Sequence, residues 1–556
     1  MNRLVNRCLL LASLLFSLHA LSAPQAGVAS AHPLATEAGI EILRSGGNAF
    51  DAAVAVSAAL AVVEPYSSGI GGGGFWLLHV AADDRDVMID GRERAPLAAT
   101  PRMYLDAQGN VIEGASINGP LSAGIPGEPA ALEHLARHYG KLPLSVTLKP
   151  AIELARNGFI SDTHYQRMAA FRQTQLNESA DAARLFLRDA KAPPPGTRIT
   201  QPELANTLQR IADKGAAGFY KGELAQRLVD GVRKHGGIWS MRDLAEYRVV
   251  ERKPVSGEYR GMKIVSASPP SSGGVAILEM LNILSGYDIS AMPRASSVHL
   301  QVEAMRRAYH DRAVYLGDPD YVDVPVERLI SPAHAHEVAK TISLDQATDS
   351  AELKPVDTHE DASPDTTHFS IIDADGNRVA ATLTINYPFG SCFVPAGTGV
   401  LLNDEMDDFS VKPGEPNVYG LVGAHANAIE PGKRMLSSMS PTFLQSGDRI
   451  AVLGTPGGSR IITMVLLAAL DFDNGASASH MVGLGRFHHQ YLPDKIYYEP
   501  GVFSDELAGA LFDMGHEIEQ LDDTYGNMQV LVQHTKTGRI DAASDGRGVG
   551  ASAVID

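Results

Sequence analysis

The chain has 556 residues, 44% apolar and 20% charged, a composition that fits a soluble globular protein with a sizeable core. Its formal net charge is −18, which argues against nucleic acid as a partner, because phosphate backbones demand basic faces. Only Cys8 and Cys392 occur. Cys8 sits in a leader, so the remainder has one thiol and no internal disulfide framework.

Residues 1–23 read as an export signal: Arg3 and Arg7 make a basic start, Leu9 to Phe16 an apolar run, and Ala20-Leu21-Ser22-Ala23 a small-residue exit. That run is too short to span a bilayer, and no later uninterrupted apolar stretch reaches about 18 residues. The expectation is a secreted protein, periplasmic in a bacterium, with no membrane span; a retained anchor is the alternative. Ala35 to Val63 reads as two helical stretches broken at Ser45-Gly46-Gly47-Asn48. The second is rich in Ala and Val and nearly uncharged, so it should be buried on several sides. Gly69-Ile70-Gly71-Gly72-Gly73-Gly74 follows, then an apolar strand from Phe75 to Val80. The letters satisfy GxGxxG, but a dinucleotide fingerprint follows a strand and opens a helix, the reverse of the order here. Helical patterns dominate from Ala130 to about Gly231, and Ser297 to Tyr315 is another amphipathic stretch. Residues 343–365 are acidic, contain proline and have almost no large apolar side chain, which predicts a mobile surface linker. It stops at Thr366, the sharpest composition step in the chain.

The next segment, TTHFSIIDADGNRVAATLTIN, reads as a hairpin turned at DADGN. A two-residue turn at Asp375-Gly376 would place Thr366 opposite Ile385, flanked by Thr384 and Asn386; a bulge would shift this by one residue. DADGN also opens like a calcium loop, but no Glu follows at its twelfth position. A threonine that opens a strand is ordinary on β-propensity alone. If the chain is cut before it, however, the new α-amine, with an ordinary pKa of about 7.7–8.0, can take the hydroxyl proton and make a nucleophile. LLNDEMDDFS brings Glu405 and Asp408 near one another after an apolar strand, unless it is only a solvated acidic loop. Ser437-Ser438 could be a simple polar turn. Ile450 to Leu470 reads as strand, TPGGSR loop and helix, so Gly457 and Gly458 sit where free N–H groups favour an oxyanion; a tight turn would need the same glycines. His488-His489, and His334 with His336, have no carboxylate or cysteine at ligand spacing, so no metal is expected. No G-x-S-x-G elbow occurs, against a serine hydrolase. Cys392 has no Cys-His pattern around it and reads as a lone buried thiol.

Taken together these residues resemble the γ-glutamyltranspeptidase (glutathione hydrolase) family of the N-terminal-nucleophile hydrolase superfamily. The resemblance runs from about Ala29 to the end and rests on SGGNAFDAAVA, GIGGGGF, DGRERAP, DTTHFS, NDEMDDFS, KPGEPNVYGL, LSSMSP, TPGGSRII and RFHHQYLPD. It implies an α/β fold, a four-layer αββα sandwich. It also implies a proenzyme that cuts itself between Asp365 and Thr366 into a large subunit, 24–365, and a small catalytic one, 366–556. Carried over, Thr366 is the nucleophile, Thr384 assists it, and Gly457 and Gly458 form the oxyanion hole. Arg92 with Ser437 and Ser438 holds the α-carboxylate of a γ-glutamyl group. Asn386, Glu405 and Asp408 receive its α-ammonium, and Tyr419 belongs to a lid. No cofactor is implied; the donors are glutathione and other γ-glutamyl compounds, the acceptors water, amino acids or dipeptides. Met435 departs from the proline common before LSSMSP, and Glu405 is glutamine in some members. The competing readings are a β-lactam side-chain acylase of the same fold and a processed but inactive binding homologue.

Overall fold

Alternating side chains build two antiparallel sheets stacked face to face. In chain order their strands are β1 (Ala26–Ser30), β2 (Gly73–Val80), β3 (Arg85–Gly91), β4 (Val250–Arg252), β5 (Val255–Tyr259), β6 (Met262–Ser266), β7 (Thr367–Ile372), β8 (Arg378–Thr384), β9 (Thr442–Ser446), β10 (Arg449–Gly454), β11 (Gln529–His534), β12 (Ile540–Ser544) and β13 (Ala551–Ile555). The first sheet runs β13-β1-β7-β8-β2-β3-β4 and the second β12-β11-β10-β9-β6-β5. This computed structural model describes residues 25–353, 366–412 and 414–556. The expected signal, the later part of the expected linker and Asp365 therefore lie outside the described residues.

Period two sorts the sheet residues between two cores. Phe75, Leu77 and Met88 of the first sheet meet Leu444, Val452 and Leu531 of the second. Their neighbours Trp76, Leu78 and Ile89 point the other way, into a core shared with α2 (Ala49–Val63). All fifteen residues of α2 are buried, as its Ala/Val composition requires. It starts after the break that ends α1 (Pro33–Arg44), where Asn48 and Asp51 form a capping box. The far face of the second sheet is covered by α3 (Gly273–Leu284) and α6 (Ile461–Asp473), with α4 (Arg294–Tyr315) packed in the same core. The layers are thus helix, sheet, sheet, helix. No helix among the described residues is long and apolar enough to cross a membrane.

The glycine run serves close packing rather than phosphate. A Cβ on Gly71 would lie 2.0 Å from the Leu401 carbonyl oxygen, and one on Gly72 would lie 2.2 Å from that of Thr384. Only glycine lets the chain pass there.

Two expectations need correction. The hairpin loop has three residues, Ala374 to Gly376: Asp373 pairs with Asn377, and Gly376 takes φ +91°. A left-handed glycine closing a three-residue loop shifts the register by one, so Leu383 pairs with Thr367 and Thr384 comes opposite Thr366. The expected mobile linker is also anchored over its first eleven residues. Ser343 O accepts from His299 Nε2 at 2.9 Å, Thr348 Oγ1 donates to Glu303 at 2.6 Å, and Ser350 N donates to Asp494 at 2.7 Å. Composition alone cannot see that α4 and the 489–494 loop supply these partners.

Candidate active site

The hairpin sets the centre. Thr366 stands just before β7 and is 5% exposed. Side chains alternate from there. Thr367 turns outward and donates to Glu64 Oε2 at 2.7 Å, whereas His368 turns inward, bonds Thr382 Oγ1 at 2.8 Å and lies against Gly454 of the second sheet. Burial pushes the Glu64 carboxyl up to about 7, against the lowering pull of the Thr367 bond. Burial also drives His368 down to about 3, so it is neutral.

Arg92 follows β3 directly and its side chain is fully enclosed. Its backbone N–H donates to Asp90 at 3.0 Å, and its Nε donates to Met435 O at 3.3 Å. The two ends of the guanidinium then fork, one to Glu405 Oε2 at 2.5 Å and one to Asp408 Oδ2. A third carboxylate, Glu93, lies 3.5 Å away with neither oxygen hydrogen-bonded. Burial pushes Glu405 up to about 7, with Arg92 pulling down and Asp408 pushing up; Glu93 is driven well above its ordinary range, again by burial first. Arg92 is shared among three buried acids, and Arg312 adds a more distant positive pull on Asp408. Asp407 does not join it, because Ser116 Oγ (2.6 Å) and Val418 N (2.9 Å) donate to that carboxylate.

At the other wall, Thr384 Oγ1 accepts from Asn386 N at 2.7 Å. Asn386 holds φ +75°, a left-handed conformation that Asn tolerates better than most residues. This turns its carbonyl to Tyr419, whose hydroxyl donates to it at 2.8 Å, while Gln490 Nε2 holds Tyr419 O at 3.1 Å. The expected lid residue is therefore latched across the site at both ends. Ser437 N donates to Pro270 O at 2.8 Å, and Ser438 Oγ accepts from Arg312 at 3.4 Å.

Gly457 and Gly458 take φ +144° and +52°. Gly457 caps and Gly458 opens a short 3-10 turn, Gly458–Arg460, and α6 proper begins only at Ile461, so the expected helix start lies slightly later. Neither glycine N–H finds an acceptor among the described residues. Gly458 faces a narrow recess lined also by Arg92, Thr366, Thr384, Asn386, Asp408, Tyr419, Ser437 and Ser438. Gly457 faces a wider one with Glu64, His164 and Arg547. Thr366 lines both. Glu405 sits behind the narrow recess on Arg92.

The arrangement puts a hydroxyl between a guanidinium–carboxylate cluster, suited to a zwitterion, and two backbone donors suited to an oxyanion. His488 and His489 stand apart as buried, neutral rings, driven by burial to about 3 and about 4. Cys392 is a buried thiol pushed up to about 11 by burial, with Arg172 Nε 3.2 Å from its sulfur. Sequence reading missed Glu64, Glu93 and Arg312. Glu64 lies between recognised motifs and Glu93 inside DGRERAP, but a lone acid carries no signal of its partner. Arg312 is one of several arginines on α4 and could be singled out only by the fold.

The chain is similar to known proteins in both sequence and fold. The profile of the family described as Gamma-glutamyltranspeptidase matches residues 35–555. A glutathione hydrolase proenzyme from Pseudomonas sp. (strain A14) is 45% identical over 518 residues, covering 90% of this chain and 89% of that protein. Among solved structures, a cephalosporin acylase from Bacillus halodurans superposes with a TM-score of 0.84 at 30% identity, covering 96% of each chain. The gamma-glutamyltranspeptidase of Helicobacter pylori gives 0.58 at 42% identity, covering 60% of this chain and 95% of that one.

Proposed function

This chain belongs to the γ-glutamyltranspeptidase family, and from that premise we propose that it is an autoprocessed γ-glutamyltransferase and glutathione hydrolase with Thr366 as nucleophile. The observation that carries the reading is the single recess in which Thr366 meets Arg92, Asp408, Ser437, Ser438 and Gly458.

In the precursor the Thr366 hydroxyl attacks the Asp365 carbonyl carbon. The amide becomes an ester, and water releases the 24–365 subunit with a new carboxylate and a new Thr366 amine. That amine, in its neutral form, then takes the proton from Oγ. The γ-glutamyl donor enters by exchange. Its α-carboxylate takes Arg92 from Asp408 and Glu405, and its α-ammonium takes the carboxylates so released, together with Asn386. Ionic contacts are traded for ionic contacts, so a zwitterion can occupy a buried charge cluster that a neutral acyl group cannot satisfy. Oγ attacks the γ-amide carbon, the oxyanion forms against Gly457 and Gly458 N–H, and the proton passes to the leaving amine. Water or an amine acceptor resolves the γ-glutamyl ester. Export to the periplasm follows from the leader and belongs to the same proposal.

Two measurements test this. The purified protein should give two masses meeting at Asp365–Thr366 and should turn over a chromogenic γ-glutamyl anilide. Thr366→Ala should remain one chain, because no hydroxyl is left to attack; cutting of that variant in a protease-free preparation refutes the assignment. The likeness to a cephalosporin acylase favours one competing reading. A glutaryl group lacks the α-ammonium and would leave Glu405 and Asp408 without a cation. Faster turnover of a glutaryl amide than of the γ-glutamyl anilide would establish that reading instead.

A further inference from the structure

His334 has no ligand partner at local spacing, but the fold supplies two from other helices. It lies in α5 (Pro332–Ala339), where the Ser331 hydroxyl caps its backbone N–H and fixes its place in the first turn. Its Nε2 is 2.8 Å from Asp311 Oδ2 on α4 and 3.5 Å from Glu279 Oε1 on α3. All three donor atoms lie within 4.8 Å of one another. Glu279 is 1% exposed, and its Oε1 points into this group with no hydrogen-bond partner. Asp311 is oriented from behind by His310, whose Nδ1 is 3.1 Å from Oδ1.

We propose that Glu279, Asp311 and His334 form a binding site for one divalent transition-metal ion of the zinc class, tying α3, α4 and α5 together. Tetrahedral zinc bonds of about 2.0–2.2 Å place neighbouring donors about 3.3–3.6 Å apart; the 3.5 Å separation lies in that range, and the 2.8 Å one would open by about half an ångström on binding. Imidazole with two carboxylates suits zinc better than calcium or magnesium, which take oxygen donors alone. Two carboxylates facing one imidazole make a donor set that a divalent cation would satisfy. The nearby Arg328 stacks on Tyr315 at 4.5 Å rather than bonding to Glu279. The Asp311 and His334 side chains keep 12% and 14% exposure, which leaves an entry path and a place for water as fourth ligand.

The other histidine-rich group shows what a committed cluster looks like. His299 Nδ1 and His516 Nε2 bond each other at 2.7 Å, and both Glu303 oxygens are taken by Arg306, Arg307 and Thr348. Of the side-chain donors there, only His516 Nδ1 is left without a partner, one donor rather than three.

The test uses the full, untagged protein after chelator treatment, titrated with zinc alone and read by bound metal and by thermal midpoint. One equivalent should bind, with a rise in midpoint. Both effects should weaken at least about tenfold in His334→Ala and in Glu279→Gln. His516→Ala should leave them unchanged. Turnover of a γ-glutamyl anilide checks that each variant is folded, and that site is separate from this one. Absence of stoichiometric zinc in the wild type, equal affinity in both ligand variants, or loss confined to His516→Ala would each overturn the proposal.

Discussion

Arg92 shows what a single residue contributes once its partners are known. A guanidinium forked between Glu405 and Asp408 is held in place before any substrate arrives. Glu405 then sets a pH dependence. Burial raises its carboxyl to about 7, so below that value it is protonated and a poorer acceptor for an ammonium. The KM for a γ-glutamyl donor should therefore fall as pH rises toward about 7. Glu405→Gln keeps an acceptor but cannot titrate, so its KM should lose that step; an unchanged profile would remove Glu405 from ammonium binding. Gly458 gives the second residue-scale test. Its φ of +52° costs alanine only about 1–2 kcal/mol, so Gly458→Ala should fold and process. Displacing one oxyanion donor should slow single-turnover acylation by about 10²–10³-fold while inhibitor affinity stays near normal. Full acylation rate would return this glycine to a turn and nothing more. The sequence named these residues through their motifs, yet the direct ion pairs were not readable from it. Residues 92, 405 and 408 look like an arginine and a solvated acidic loop until β3 and the 405–408 turn meet.

Elements were legible in proportion to how local their cause is. The break between α1 and α2 follows from adjacent glycines and an Asn48 capping box. The hairpin followed from DADGN, but its register depended on the left-handed Gly376, which composition does not reveal. The 343–353 segment was misread because its anchors are distant. Glu303 is one of these. Burial would raise its carboxyl, but Arg306, Arg307 and Thr348 overcome that and hold it at about 2. A depressed carboxylate stabilises the fold above its unfolded value of about 4.5, and that stability is lost as pH falls toward about 2. Wild type should therefore lose thermal midpoint steeply from about pH 5 to about pH 3. Glu303→Gln, less stable at neutral pH, should lose less over the same interval. Parallel curves for the two proteins would show that this carboxylate does not anchor the segment.

At the scale of the molecule the four layers were expected from resemblance, whereas the order of strands within each sheet was not. That order matters most at the first sheet, where β13 and β7 flank β1 and β8 pairs with β2. With the bond before Thr366 broken, β1 to β6 belong to one piece and β7 to β13 to the other. The two pieces are interleaved, so neither retains a complete sheet or a closed core. Unfolding the uncut chain is a unimolecular event, but reforming the cut protein requires two chains to find each other. The midpoint of Thr366→Ala should not depend on protein concentration, and its refolding should be first order. The cut protein should refold with a rate that rises with concentration, and at high dilution it should fail to recover; equal, concentration-independent recovery of both would contradict the interleaving. A single hydrolysed peptide bond thus gives the molecule a history. Once unfolded, the cut protein cannot regain its fold at the uncut chain's rate, so its persistence rests on slow unfolding rather than on the ease of folding again.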